Sequence, residues 1–389
     1  MKTTPIDSLR GGVNLDPVGD PAPFRVGILT FHSQLNYGGV LQAWALQEAL
    51  RGLGCDVRVI DRWFNAENAT LLGQLAFHSL GTYLSIVQAI CLGCAKIAEF
   101  QRRKRTERFI HDRLHLTPYH FVEWGEVAGR DLGLDCIVVG SDQVWRCGDF
   151  GSPRVFLLEG VPSSIKAITY AASFGMSAVP EEWTQVFRAG LKRFSAIGAR
   201  ESSAVRLVEA LGQHATEVLD PTQLIDAKQW KQEMGEEAPS QKPTLVCYFL
   251  MEDIFKHLPT LEAFAARQQC TVEMFVGGNP FRIPRSWAAL KTHIRSVFAR
   301  LRTSVRIRFD APPQDFVAAF ASAKWILTES FHGLMFASIF GKNIRIFDSA
   351  QEKTSTFKAS FVRLHDFAGK YVHGPLFAES VGEALDSFA

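Results

Sequence analysis

Short apolar runs rich in β-branched residues recur along this chain, each followed by a polar cluster and often by a helical period. The first series comprises Phe24–Phe31 (FRVGILTF), Asp56–Asp61 (DVRVID), Cys136–Gly140 (CIVVG), Lys166–Ala171 (KAITYA), Ala196–Ala199 and Glu217–Leu219, with a helix predicted over Val40–Leu53. A strand covered on both faces reads as a near-continuous apolar run, and parallel strands need a crossover between them. The alternation therefore predicts βαβ units. A second series runs through Thr244–Leu250, Thr271–Val276, Arg306–Phe309, Trp325–Thr328 and Asn343–Phe347. The expected fold class is α/β, with two Rossmann-like domains facing a cleft.

The expected boundaries follow from composition. Residues 1–22, rich in Gly, Pro and Asp, read as a loose leader. An N-terminal Rossmann-like domain is expected over 23–226, carrying a helical insertion at about 68–115. The polar stretch 227–243 reads as a linker, 244–375 as the C-terminal Rossmann-like domain, and 376–389 as a helix packing back on the N-terminal domain. With 389 residues, 47% of them hydrophobic, there is material for large cores, which excludes a disordered or collagen-like chain. A formal charge of +2 gives no whole-chain signal for nucleic acid. The start of the chain lacks an apolar signal segment and the seven cysteines make no disulfide framework, so a cytoplasmic location is expected.

Three segments carry a second meaning beside the bland one. Cys91 and Cys94 form a lone CxxC inside an apolar run, read as packing rather than a redox or half-zinc pair. Asn68–Ala95 holds no charged residue and precedes a basic stretch containing Arg102–Arg105. It reads as a buried helical hairpin with a solvated basic face, the alternative being peripheral docking on an anionic membrane at its inner surface. From Arg282 to Arg308 there are eight Lys/Arg and no acid, read as a solvated face, with a diphosphate or lipid headgroup as the functional alternative.

In open α/β sheets ligands bind beyond the carboxyl ends of the strands. Those ends carry Asn36-Tyr37-Gly38-Gly39, Ser141-Asp142-Gln143, Ser173, Arg200-Glu201, Asp220-Pro221-Thr222 and Glu329-Ser330-Phe331-His332-Gly333. Each of these suits a helix cap or turn. Together, at one edge of two sheets, they point to a ligand cleft. The first loop is neither a dinucleotide fingerprint nor a P-loop, so neither NAD nor ATP is indicated. Arg200 offers a planar fork for a carboxylate or phosphate, and His332 combines an imidazole with a helix start. His32 reads as a structural histidine. No Asp/Glu/His group has convincing metal-ligand spacing, so neither a metal nor a cofactor is expected.

These blocks resemble the polysaccharide pyruvyl transferase family. The residues concerned are Ile28–His32 with Asn36–Ala43, Val139–Trp145, Thr169–Gly175, Arg200–Ser202, Leu219–Thr222 and Ser330–Gly333, in the family's order over roughly 25–350. The chain departs from the pattern at Gly39, at Arg146, at Glu329, where Asp is usual, and at Lys353–Thr356, where an arginine is missing. Lys353 or Lys358 would supply a point charge there instead of a fork.

The resemblance implies a fold like the GT-B glycosyltransferases. It also implies transfer of a pyruvyl group from phosphoenolpyruvate to a sugar as a ketal, in exopolysaccharide or cell-wall glycan assembly. The expected partners are phosphoenolpyruvate and a saccharide acceptor, free or lipid-linked. On this reading His332 is the proton donor, and Asp142 or Glu329 is the base. Arg200, Asn36, Tyr37, Gly38, Gly39, Ser141, Gln143, Ser173, Ser330 and Gly333 bind substrate. A nucleotide-sugar glycosyltransferase and a non-catalytic partner in a membrane-associated glycan assembly complex are the competing readings.

Overall fold

The computed structural model describes residues 22–33, 36–62, 100–127, 130–147, 153–235, 242–250, 257–277, 303–347, 377–378 and 381–388. The first sheet comprises β1 (Arg25–Leu29), β2 (Asp56–Arg62), β3 (Leu116–Phe121), β4 (Cys136–Val139), β5 (Lys166–Ala172), β6 (Ala196–Ala199) and β7 (Thr216–Glu217). The second comprises β8 (Thr244–Phe249), β9 (Thr271–Val276), β10 (Arg306–Arg308), β11 (Trp325–Thr328), β12 (Asn343–Phe347) and β13 (Phe377–Ala378). Their strand orders are β3-β2-β1-β4-β5-β6-β7 and β10-β9-β8-β11-β12-β13. Every pairing in both is parallel. In each sheet the order reverses once, between β1 and β4 and between β8 and β11. Such switch points leave a crevice at the carboxyl edge.

The helices are α1 (Tyr37–Gly52), α2 over 100–113, α3 (Glu181–Gly190), α4 (Ser202–Ala210), α5 (Ala227–Met234), α6 (Leu258–Gln268), α7 (Pro313–Ser322), α8 (Phe331–Ile339) and α9 (Val381–Asp386). Asn36 caps α1 through Gly38 N–H, and Ser330 caps α8 through Gly333 N–H. Both helices are buried along most of their length, which explains their weak amphipathic patterns.

The two sheets are joined by one continuous apolar core. It takes in Val26, Ile28, Trp44 and Val138 from the first half and Tyr248, Phe316, Ile326 and Phe336 from the second. Trp230 of α5 lies between them, its ring 4.8 Å from Trp44 and 5.0 Å from Phe336. The stretch expected to be a linker thus begins as a helix. Asp226 caps it, and its one tryptophan closes the joint. Its polar composition hid this role, because only Trp230 and Met234 of α5 turn inward.

The last helix departs from expectation. Val381, Ala384, Leu385 and Phe388 pack with Leu261, Phe264 and Trp325 in the second half's own core, and Arg267 donates to Asp386. β13 pairs with β12, so the chain finishes on the second sheet rather than returning to the first. β3 was not legible either, because Pro118 and His120 break its apolar run.

The basic run at Arg102–Arg105 is not a free face. Arg102 is buried, lies 4.6 Å over the Tyr37 ring and donates to Val276 O at 2.7 Å. Arg105 pairs with Asp310 at 2.7 Å. In the second basic stretch, Arg306 and Arg308 pair with Glu273, and Arg308 also pairs with Asp315. The leader, Asn68–Ala95 with its CxxC, Arg282–Arg302 and Lys353–Lys358 lie outside the described residues. Among the described residues no helix is long and apolar enough to cross a membrane.

Candidate functional site

The carboxyl ends of β4, β5, β6 and β7 deliver Ser141 and Asp142, Ser173, Arg200 and Glu201, and Asp220 to one place. Arg200 is the centre of the group. Its Nη1 lies 3.4 Å from Asp142 Oδ1 and 3.5 Å from Asp220 Oδ2, and its Nε lies 3.4 Å from Glu201 Oε2. All four side chains are largely or wholly buried. Three carboxylates around one guanidinium outweigh the opposing effect of burial and hold the Arg200 pKa above its ordinary value. None of the three contacts is a tight bidentate pair, and Nη2 has no partner among the described residues. Phe331 of α8 lies beneath the guanidinium at 4.2 Å from ring centre to Cζ.

His332 enters from the second half. Its Nε2 lies 3.9 Å from Asp220 Oδ2, the same oxygen that faces Arg200. That distance is too long for a hydrogen bond, and Nε2 is a buried atom without a hydrogen-bond partner among the described residues. Burial lowers the His332 pKa and Arg200 assists, against the opposing charges of Asp220 and Asp142. For Asp220, burial alone would raise the pKa. His332, Arg200 and two hydrogen bonds from Thr222 outweigh it and hold the group below its ordinary value.

The neighbouring groups brace this arrangement. Asp220 Oδ1 accepts from Thr222 N–H at 3.0 Å and from its hydroxyl at 2.7 Å, while Oδ2 accepts from Ser141 Oγ at 3.0 Å. Ser173 Oγ donates to Glu201 at 2.5 Å. Asp142 has φ 75°, in the left-handed region that Asp tolerates better than most residues. Its Oδ1 also accepts from Gln143 N–H at 2.9 Å.

Of the residues singled out in the sequence, the structure brings together Arg200, Asp142, Ser141, Ser173 and His332. Gly38 joins them by contact: a β-carbon there would lie 2.0 Å from His332 Nδ1. Others have different tasks. Tyr37 is buried and donates its hydroxyl to Ala311 O at 2.9 Å, stacking on Phe316 at 4.8 Å, so it fastens the two halves. Gly38 N–H is taken by Asn36 Oδ1 at 3.0 Å and Gly333 N–H by Ser330 Oγ at 3.4 Å; those amides cap their own helices rather than cradle an anion. Gly39 lets α1 approach β1, where a β-carbon would lie 2.8 Å from Phe31 O. Gln143 accepts from Arg146 at 3.0 Å. Glu329 Oε1 accepts from Leu250 N–H at 2.9 Å, at the end of β8. His32 is buried against Asp61 at 3.2 Å, the structural role expected of it.

The sequence placed Asp220 at the edge of the cleft without a role of its own, and assigned no role to Gln42 or Tyr248. Gln42 is fully buried, donating to Thr30 Oγ1 and Gly39 O at 2.8 Å each and accepting from Ser141 N–H at 3.2 Å. Such a residue reads as a surface position on a helix until the strand ends close around it. Tyr248, next to last in β8, is wholly buried, and burial pushes its phenol pKa well up.

A family model described as polysaccharide pyruvyl transferase matches residues 36–350, most of the chain and all the residues of this cluster. The chain belongs to the polysaccharide pyruvyl transferase family. Members of this family are transferases, and the strand-end blocks that assemble here are those by which the chain resembles it. No curated protein matches the sequence. Among solved structures, the UDP-N-acetylglucosamine 2-epimerase of Rickettsia bellii is similar, with TM-score 0.43, 12% identity and coverage of 94% of this chain and 92% of that one. The UDP-GlcNAc 2-epimerase of Methanocaldococcus jannaschii gives TM-score 0.44, 11% identity and coverage of 94% and 98%. A glycosyltransferase of Rickettsia africae gives TM-score 0.38, 12% identity and coverage of 94% and 92%.

Proposed function

We propose that the chain transfers the pyruvyl group of phosphoenolpyruvate to a pair of sugar hydroxyls on a glycan precursor, forming a ketal and releasing phosphate. The observation that carries this reading is the bracketing of Asp220 Oδ2 by Arg200 Nη1 at 3.5 Å and His332 Nε2 at 3.9 Å, two nitrogens that face the same buried oxygen without a close hydrogen bond to it. A fixed cation and an imidazole that can take up a proton are what an anionic enol phosphate requires. Arg200 Nη2 holds the donor's carboxylate or phosphate. The donor's negative charge favours the imidazolium, so His332 takes up a proton on binding.

His332 then protonates the methylene carbon, and the adjacent carbon becomes an oxocarbenium-like centre. The first sugar hydroxyl attacks it and gives its proton to Asp142. Phosphate departs with the C–O bonding electrons and that proton. The second hydroxyl closes the ketal, and its proton restores His332. Glu329, the alternative base, is engaged at Leu250, so Asp142 is the residue assigned that step.

Three carboxylates beside one arginine suit sugar hydroxyls as hydrogen-bond donors on the Asp142 side. The acceptor on this reading is a saccharide precursor, free or lipid-linked, handled on the cytoplasmic side of the membrane. The test is incubation of the protein with phosphoenolpyruvate and a panel of nucleotide-linked and lipid-linked sugars. Acceptor-dependent phosphate release with acid-labile pyruvate on the sugar supports the proposal. Turnover of a nucleotide sugar without phosphoenolpyruvate overturns it in favour of glycosyl transfer.

A further inference from the structure

We infer that Asp220 is a positioning residue for His332, its Oδ2 facing the Nε2 edge of the imidazole and stabilising a proton there once an anionic donor arrives. The inference rests on the reading of His332 as the proton donor.

The geometry separates Asp220 from the other two carboxylates. Its side chain is wholly buried, and its two oxygens have distinct tasks. Oδ1 is anchored by Thr222 through both N–H and hydroxyl, and Thr222 O accepts from the Trp230 indole at 3.0 Å. Oδ2 is left to face Ser141 Oγ, Arg200 Nη1 and His332 Nε2 at 3.0, 3.5 and 3.9 Å. A carboxylate pinned by one oxygen and turned toward an imidazole by the other is the arrangement that orients a histidine and favours its charged form. On the opposite edge Gly38 closes on Nδ1, so the ring is held between the two halves.

The charged groups acting on His332 are Asp220, Asp142 and Arg200. Asp142 already shares its Oδ1 with Arg200 Nη1 and Gln143 N–H, and Glu201 faces Arg200. Arg200 disfavours a second positive charge. Asp220 is thus the closest counter-charge for a protonated His332.

The experiment is an NMR titration of the histidine ring signals in the full-length protein, His332 being identified among the 11 histidines by its loss in His332→Gln. Asp220→Asn removes the charge but keeps an Oδ1 for Thr222, and its His332 pKa is expected to fall by about one pH unit or more. Ser141→Ala removes the hydroxyl that competes for Oδ2 while leaving the charge, and it is expected to move the His332 pKa upward. A merely structural Asp220 would not produce shifts of opposite sign. A His332 titration unchanged in both variants overturns the inference, and if Asp220→Asn does not fold, the Ser141→Ala shift decides alone. None of these readouts needs turnover, so failure of pyruvyl transfer and failure of the Asp220 role are seen separately.

Discussion

Gly38 and His332 touch across the joint between the two halves: the Gly38 Cα lies so close to the imidazole that a β-carbon would sit 2.0 Å from Nδ1 and 2.3 Å from Cγ. Each residue stands in the first turn of a buried helix, α1 or α8, at the switch point of its own sheet. The contact therefore registers one Rossmann-like half against the other and holds the His332 imidazole in place. Gly38→Ala is expected to push His332 off Asp220. Overpacking of this kind costs about 1–3 kcal/mol. Thermal unfolding and titration with phosphoenolpyruvate check it: a lower melting temperature and lost donor binding are expected together.

Arg200 balances three buried carboxylates, so its removal should harm folding as well as binding. Breaking a buried pair by deleting one partner costs about 3–5 kcal/mol. Arg200→Met is expected to lose about that much at pH 7 by denaturant unfolding. The deficit should shrink as pH falls and Asp220, which Arg200 helps to keep charged, takes up its proton. A deficit that does not change with pH would contradict the account.

Acid sensitivity is expected in two separate windows. Burial lowers the folded-state pKa of His332 below its ordinary 6.5. Its contribution to stability is full above 6.5 and is lost as pH falls through the folded value. Asp220 is held below its ordinary 3.8, so its contribution is full above 3.8 and lost on further acidification. His332→Gln should flatten the upper window and narrow the lower one, because it also removes the charge that most lowers the Asp220 pKa, as read from unfolding free energy against pH.

The shared core predicts one cooperative unfolding event rather than two. Trp230→Ala should open a cavity between Trp44 and Phe336, at about 3–5 kcal/mol for a large-to-small change. Calorimetry is expected to show a single transition in the parent chain and a split or broadened one in the variant. Tyr37→Phe, which leaves Ala311 O without its hydroxyl donor, should cost only about 1 kcal/mol.

The fold was legible because both sheets are parallel and covered on both faces. CIVV, KAITYAA and WILT announce themselves as central strands, and the polar residues after them mark the carboxyl edge. Arg200, Asp142 and His332 were found by that rule. The edges were less readable: β3 carries a proline, and β13 is two residues long. The site's bracing was legible only in part. Ser141, Asp220 and Gln42 meet through hydrogen bonds spanning sequence separations of 79 and 99 residues, which no local pattern announces. The glycines were noticed for their amides. The structure shows in addition that they leave room for close approaches, and at Gly38 that depends on His332 arriving from the other half.

The central claim is that this site binds phosphoenolpyruvate through Arg200 and His332. Calorimetric titration of the full-length protein with phosphoenolpyruvate, beside a panel of nucleotide sugars, tests it most directly, with Arg200→Lys and His332→Gln run in parallel. Saturable phosphoenolpyruvate binding, weakened about tenfold or more in both variants, is the predicted result, since a lysine keeps the charge but loses the fork. Binding of a nucleotide sugar alone, or phosphoenolpyruvate binding indifferent to both substitutions, would contradict it.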